Sequence, residues 1–140
     1  MDQLALAHAF SCLFMTGLIW LVQIVHYPAF AYTDEARFTV FHGFHSRRIT
    51  WIVFPVMTFE LITAGVLFFQ HRDLFWTLNG AGVALLWAST AFLSVPLHNQ
   101  LALGTSAKVI EKLVRTNWPR TLLWSARAVA LYWILTKTQI

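Results

Sequence analysis

ITWIVFPVMTFELITAGVLFF, residues 49–69, decides the fold. The stretch is almost wholly apolar around a single ionisable residue, Glu60. About 20 such residues cross the ~30 Å hydrocarbon layer of a bilayer as a helix. A carboxylate placed there costs roughly 2.5–3.5 kcal/mol on insertion scales, so it calls for a partner or a task. Three further stretches have similar length and character: 5–25, 74–97 and 118–136. The last holds Arg127 within an apolar run, the counterpart of Glu60.

Composition agrees with that reading. Of 140 residues, 58% are hydrophobic and 11% charged, and mean hydropathy is +0.60. A soluble domain carries about 25% charged residues. Long unbroken apolar runs exclude a membrane barrel, whose strands alternate over about 10 residues. The fold expected is an all-α, antiparallel four-helix bundle in the membrane, one domain over 1–140. The first run reads as a retained span, since Asp2 precedes it and no Lys or Arg opens it as in a signal peptide. Cys12 is the single cysteine, so no intramolecular disulfide forms.

Basic residues set the orientation. Arg37, Arg47 and Arg48 fall in the first expected loop, and Lys108, Lys112, Arg115 and Arg120 in the third. The positive-inside rule puts those loops in the cytoplasm and both termini outside, as in a bacterial inner-membrane protein. The pI of about 9.7 needs no nucleic acid, because such cations sit beside anionic lipid headgroups. Pro28 is expected to end the first helix, Pro55 and Pro96 to kink the second and third, and Pro119 to start the fourth. Gly80, Ala84 and Ala88 form a small-residue stripe suited to close helix approach.

The polar residues gather at one end. His26 closes the first span, His42 and His45 precede the second, His98 ends the third, and Arg120 opens the fourth. Imidazoles from several helices are a common way to hold a transition metal or a haem. His26 and His98 are expected to ligate Fe, Cu, Mn or Zn, or haem iron, with His42 or His45 completing the shell. Arg47, Arg48 and Arg120 suit haem propionates or an anionic substrate, and Trp118 lines or gates the pocket. His42 and Glu60 share a face but stand roughly 27 Å apart along a helix, so one ion cannot take both. Glu60 and Arg127 are expected to pair, as a proton-handling or purely structural couple. His71 reads as structural, and His8 lies near the outer end of the first helix, on the face of His26 but ~27 Å from it.

VPLHNQL at 95–101 followed by NWPRT at 117–121 resembles the connection between the third and fourth helices of small anthrone-oxygenase-like membrane proteins. Those are four-helix proteins that often carry Asn, Trp and Arg there, which brings Asn99 forward beside Trp118 and Arg120. This chain has His98 where that family often has asparagine. The first span, from AHA at 7–9 to VHY at 25–27, is similar to the first helix of HemJ-type, haem-bearing protoporphyrinogen oxidases. Both resemblances imply redox chemistry on a hydrophobic substrate. The function expected is a membrane oxidoreductase, dependent on a metal or haem, acting on a lipophilic aromatic or quinone-like molecule. Two other readings stand beside it. One is a small proton-coupled transporter using Glu60, Arg127 and the histidines. The other is a non-catalytic assembly subunit. Partners expected are the bilayer, a lipophilic small molecule, and either further copies of the chain or a larger membrane complex.

Overall fold

A computed structural model describes residues 2–137 and gives the expected all-α four-helix bundle. Helix α1 spans Gln3–Tyr32, α2 Glu35–His71, α3 Leu74–Leu101 and α4 Ala107–Lys137. Short connections make successive helices antiparallel. By helix hydropathy this is an integral membrane protein: α1, α2 and α3 are long and apolar enough to cross a bilayer. The expected fourth span is not among them; α4 carries Arg120 and Arg127 and is the most amphipathic of the four.

Short acidic residues start the helices. Asp2, Asp34 and Asp73 each accept a backbone N–H of the first turn, from Leu4, Ala36 and Trp76, all at 2.9 Å. This satisfies donors that have no partner within the helix. Arg72, in the left-handed region at φ 52°, turns the chain from α2 into α3.

Two expectations about helix ends change. The basic segments are helical, not loops. Arg37, Arg47 and Arg48 lie on α2, and Lys108, Lys112, Arg115 and Arg120 on α4. The connections shrink to Thr33–Asp34 and residues 102–106. At 1.5 Å per residue, the 37 residues of α2 run about 55 Å, well beyond the hydrocarbon layer. Prolines also act differently from expectation. Pro28 does not end α1, and Pro119 lies inside α4. Just before Pro28 the helix widens into a π turn, Val22–His26, where the Tyr27 N–H reaches back five residues to Val22 O. Pro96 has the same device before it, Thr90–Ser94, closed by Val95 N–H to Thr90 O. Proline has no N–H to offer the carbonyl four residues back, and a wide turn re-spaces the bonds around that gap.

The core runs along the bundle axis through Cys12, Met15, Ile19, Met57, Leu86, Trp124 and Leu131. Close approach occurs at Gly82, where a Cβ would stand 2.8 Å from Arg127 Cδ. At Gly80, on the expected stripe, a Cβ would meet nothing within 4 Å.

Candidate functional site

Two polar clusters lie inside the bundle, one toward each end. Glu60 and Arg127 pair as expected, Nη1 to Oε1 at 2.5 Å, both nearly fully buried. Four residues not anticipated complete the cluster. Arg127 Nε donates to Asn79 Oδ1 at 3.1 Å, and Nη2 lies 3.3 Å from His8 Nε2. Trp124 Nε1 donates to the second Glu60 oxygen at 3.2 Å. His8 Nδ1 sits 2.7 Å from Thr63 Oγ1, whose own hydrogen goes to the carbonyls of Phe59 or Glu60. His8 must therefore donate from Nδ1 and accept at Nε2, the pattern of a neutral ring. All four helices contribute to this closed network, in which each guanidinium nitrogen and both carboxylate oxygens of the ion pair have a protein partner.

The second cluster is at the basic end, and here four histidines converge as expected. His42 Nε2 lies 3.0 Å from His98 Nδ1. The rings of His26 and His45 are 4.0 Å apart centre to centre, and those of His45 and His98 6.0 Å. Phe30, fully buried, touches all four, with ring centres 5.2–6.4 Å away. The α1 π turn and the continuation of the helix beyond Pro28 place His26, Tyr27 and Phe30 here. Helical phase on α2 sets His42 and His45 on one inward face. His26 Nε2, His42 Nδ1 and His45 Nε2 are buried without a partner. Among the described residues, however, no three His, Cys, Asp or Glu side chains stand together in an arrangement that could hold a metal ion.

Tyr27 and Arg120 link this cluster to the interior. Tyr27 OH is 3.1 Å from His98 Nε2, and His98 Nδ1 is in turn 3.0 Å from His42 Nε2, so a hydrogen-bonded chain runs from Tyr27 through His98 to His42. The Arg120 guanidinium lies near the Tyr27 hydroxyl. Arg120 Nη1 donates to Ser94 Oγ at 2.6 Å and Asn117 Oδ1 at 3.1 Å, and its plane rests over Trp124. Asn117 in turn donates to Gln23 Oε1 at 2.9 Å. Beside Tyr27, His98 and Arg120 opens a cleft of about 320 Å³, otherwise apolar, bounded by Met15, Met57 and Trp87. Its rim residues Thr50, Phe54, Ala91 and Val95 are on the outer surface of α2 and α3.

The remaining expected site residues lie elsewhere. Arg47 and Arg48 are exposed on the outer face of α2, where Arg48 stacks on Phe44. Trp118 is at the surface against Trp20, not lining the cleft. Asn99 is exposed. One residue of helical phase separates each from the interior: Asn99 follows His98 and Trp118 follows Asn117. His71 bonds Asp2 at 3.4 Å and stacks on Trp76, a structural placement. Tyr27, Ser94 and Asn117 lay unread in the sequence. The available signal was that Ser94 and Asn117 fall one turn from His98 and Arg120, on the same face, and that Tyr27 follows His26 directly.

No protein-family model matches this chain, and no curated protein or solved structure is detectably similar to it. The two resemblances therefore rest on the quoted residues alone.

Proposed function

We propose that the protein is a membrane oxidoreductase that binds a transition-metal ion at the four histidines and takes a lipophilic aromatic or quinone-like molecule in the adjoining cleft. The observation that carries this reading is the abutment of two features. His98, at the polar end of an apolar cleft that opens on the outer surface, is bonded to His42 and packs beside His45, and His26, His42 and His45 each have a buried nitrogen without a partner. Such nitrogens are costly to bury unless something binds them.

A directly bound ion suits the space better than haem, because Phe30 fills the room between the rings. His42 and His98, whose Nε2 and Nδ1 stand 3.0 Å apart, would hold the ion, with His26 or His45 completing the shell. All-imidazole sites suit Fe, Cu, Zn and Ni; a redox-active ion would supply the one-electron chemistry. Tyr27 then orients His98 through its outer nitrogen, the usual support for a ligating histidine. Once His98 carries its proton on Nε2, the Tyr27 hydroxyl is freed to donate into the cleft. Arg120 fixes the polar end of the bound molecule, and the apolar walls exclude water. Glu60 and Arg127, roughly 27 Å from His42 by helix length, hold the four helices together.

Elemental analysis with visible spectra of the detergent-purified protein, oxidised and reduced, tests this. One Fe or Cu per chain, lost in His42→Ala and His98→Ala with the helical circular dichroism intact, is the expected result. A Soret band would move the assignment to haem. Metal-free protein that also fails to take up any ion on reconstitution would end it.

A further inference from the structure

We propose that the cleft binds a bilayer-borne amphiphile with one carboxylate head, seated on Arg120. The inference shares with the proposed function the premise that the cleft holds a lipophilic ligand, narrows that ligand to an acid in place of a neutral quinone, and does not depend on the metal.

Charge accounting leads there. Arg120 is only 5% exposed. Among the described residues the ion pairs are Arg127–Glu60 and His71–Asp2, so Arg120 has no acidic partner. Its neighbours are neutral: Ser94, Asn117, the Tyr27 hydroxyl and the Trp124 ring. A buried guanidinium without an anion is strongly unfavourable, most of all at membrane depth. Its Nε is also buried without any hydrogen-bond partner. Nη1 is committed to Ser94 and Asn117, so a ligand in the cleft would take the remaining guanidinium N–H groups. Arg120 and Tyr27 both line the cleft.

The ligand's shape and charge follow. The walls beyond Arg120 are aliphatic and aromatic (Met15, Val53, Met57, Trp87), so the body of the ligand is apolar. The rim at Thr50, Phe54, Ala91 and Val95 opens between α2 and α3, so entry is sideways from lipid. One cation balances one negative charge. A carboxylate meets that condition and matches the planar guanidinium edge. A phosphate monoester brings about 1.5 to 2 charges and would leave an excess in a low-dielectric site. A neutral carbonyl would leave the arginine uncompensated.

Trp87, in the cleft wall, serves as reporter. Bromine-labelled stearate and the matching bromine-labelled stearyl alcohol are titrated into chelator-treated protein in maltoside micelles, and tryptophan quenching is followed. The acid should bind at least about tenfold more tightly than the alcohol, and Trp87→Phe should remove most of the saturable signal. Ala91→Phe, which narrows the rim without touching Arg120, should abolish saturable quenching while leaving the unfolding temperature unchanged. Arg120→Gln should bring the acid down to the affinity of the alcohol. Equal affinity of acid and alcohol in the wild type overturns the proposal. So does binding that survives Ala91→Phe, or stronger displacement by lysophosphatidate or a quinone than by unlabelled stearate. Should Arg120→Gln fail to fold, the acid–alcohol comparison and Ala91→Phe decide. Metal-free protein that still prefers the acid removes the oxidoreductase reading alone, and a metal-loaded protein indifferent to the acid removes this one alone.

Discussion

Gly82 is held to glycine by one neighbouring side chain. Any Cβ there meets Arg127 Cδ at 2.8 Å, on a residue fixed by Glu60, Asn79 and His8. Arg127 cannot retreat without giving up those bonds. Gly82→Ala is therefore expected to destabilise by about 1–3 kcal/mol, the range for overpacking. Gly80→Ala, into open space, should stay within about 0.5 kcal/mol. Denaturant unfolding in detergent compares the two. The ion pair makes a second test at this scale. Glu60→Gln leaves a buried arginine without its anion and should cost about 3–5 kcal/mol, whereas Glu60→Met combined with Arg127→Met should recover much of that. A double variant as damaged as the single one would show that the pair does more than hold the helices. Glu60 and Arg127 were legible in sequence because an ionised group in an apolar run is conspicuous on its own. His8 and Asn79 were not. A neutral polar side chain in a span carries no such signal, and the rotation that turns four helices toward one point is set by packing between them. The histidine cluster was legible to the level of which end it occupies, while its hydrogen-bond order through Tyr27 needed coordinates.

At the level of elements, the two π turns are the unexpected feature, and both contribute to the cleft wall through Val22, Thr90, Ala91 and Ser94. A π turn is an α-helix with one residue added, so removing one residue from it returns the helix to its ordinary count. Deleting Ala91, whose side chain is on the outer surface, should therefore keep Ser94 and His98 on their inward faces and leave a folded protein. Inserting an alanine after Ala84, in the α-helical part, has no such outlet. It turns the rest of α3 by about 100°, taking Ser94 from Arg120 and His98 from His42. Size-exclusion profile and unfolding temperature of the two variants separate them; equal damage from both would contradict the bulge account. Sequence reasoning located Pro28 and Pro96 correctly as disturbances and mistook the first for a stop. Proline removes one hydrogen bond, and whether the helix then ends or re-spaces depends on what packs beyond it. Here Tyr27 and Phe30 are buried against α2 and α3, and that burial favours continuing the helix. The same blind spot hid the helical character of the basic segments, because charge signals exposure and says nothing of conformation.

For the whole molecule, the question is whether and how α4 enters the bilayer. It has two arginines within the expected span, each worth roughly 2.5–3.5 kcal/mol against insertion, and it lacks the hydropathy that marks the other three helices. Both arginines depend on other helices for hydrogen bonds: Arg127 on Glu60, Asn79 and His8, and Arg120 on Ser94, with one further bond to Asn117 of its own helix. Those groups exist as a site only when α1, α2 and α3 are already together. The bundle thus supplies the solvation that lipid cannot, and α4 is expected to insert as a consequence of assembly. An isolated segment of residues 107–137 placed in a carrier protein should fail to span. In the full chain, a cysteine at Thr136 and one at Asp73 should be labelled from the same side by a membrane-impermeant maleimide in spheroplasts, and one at Arg48 only after permeabilisation. Cys12, buried in the core, adds no background. Introducing Glu60→Gln together with Asn79→Leu withdraws two of Arg127's three partners. If insertion depends on assembly, that variant should shift part of the Thr136 cysteine to the opposite, protected side. Unchanged labelling of Thr136 in that background, with α4 also spanning on its own, would mean that the arginines are accommodated by lipid and water at the ends of the helix, and that the buried network forms afterwards.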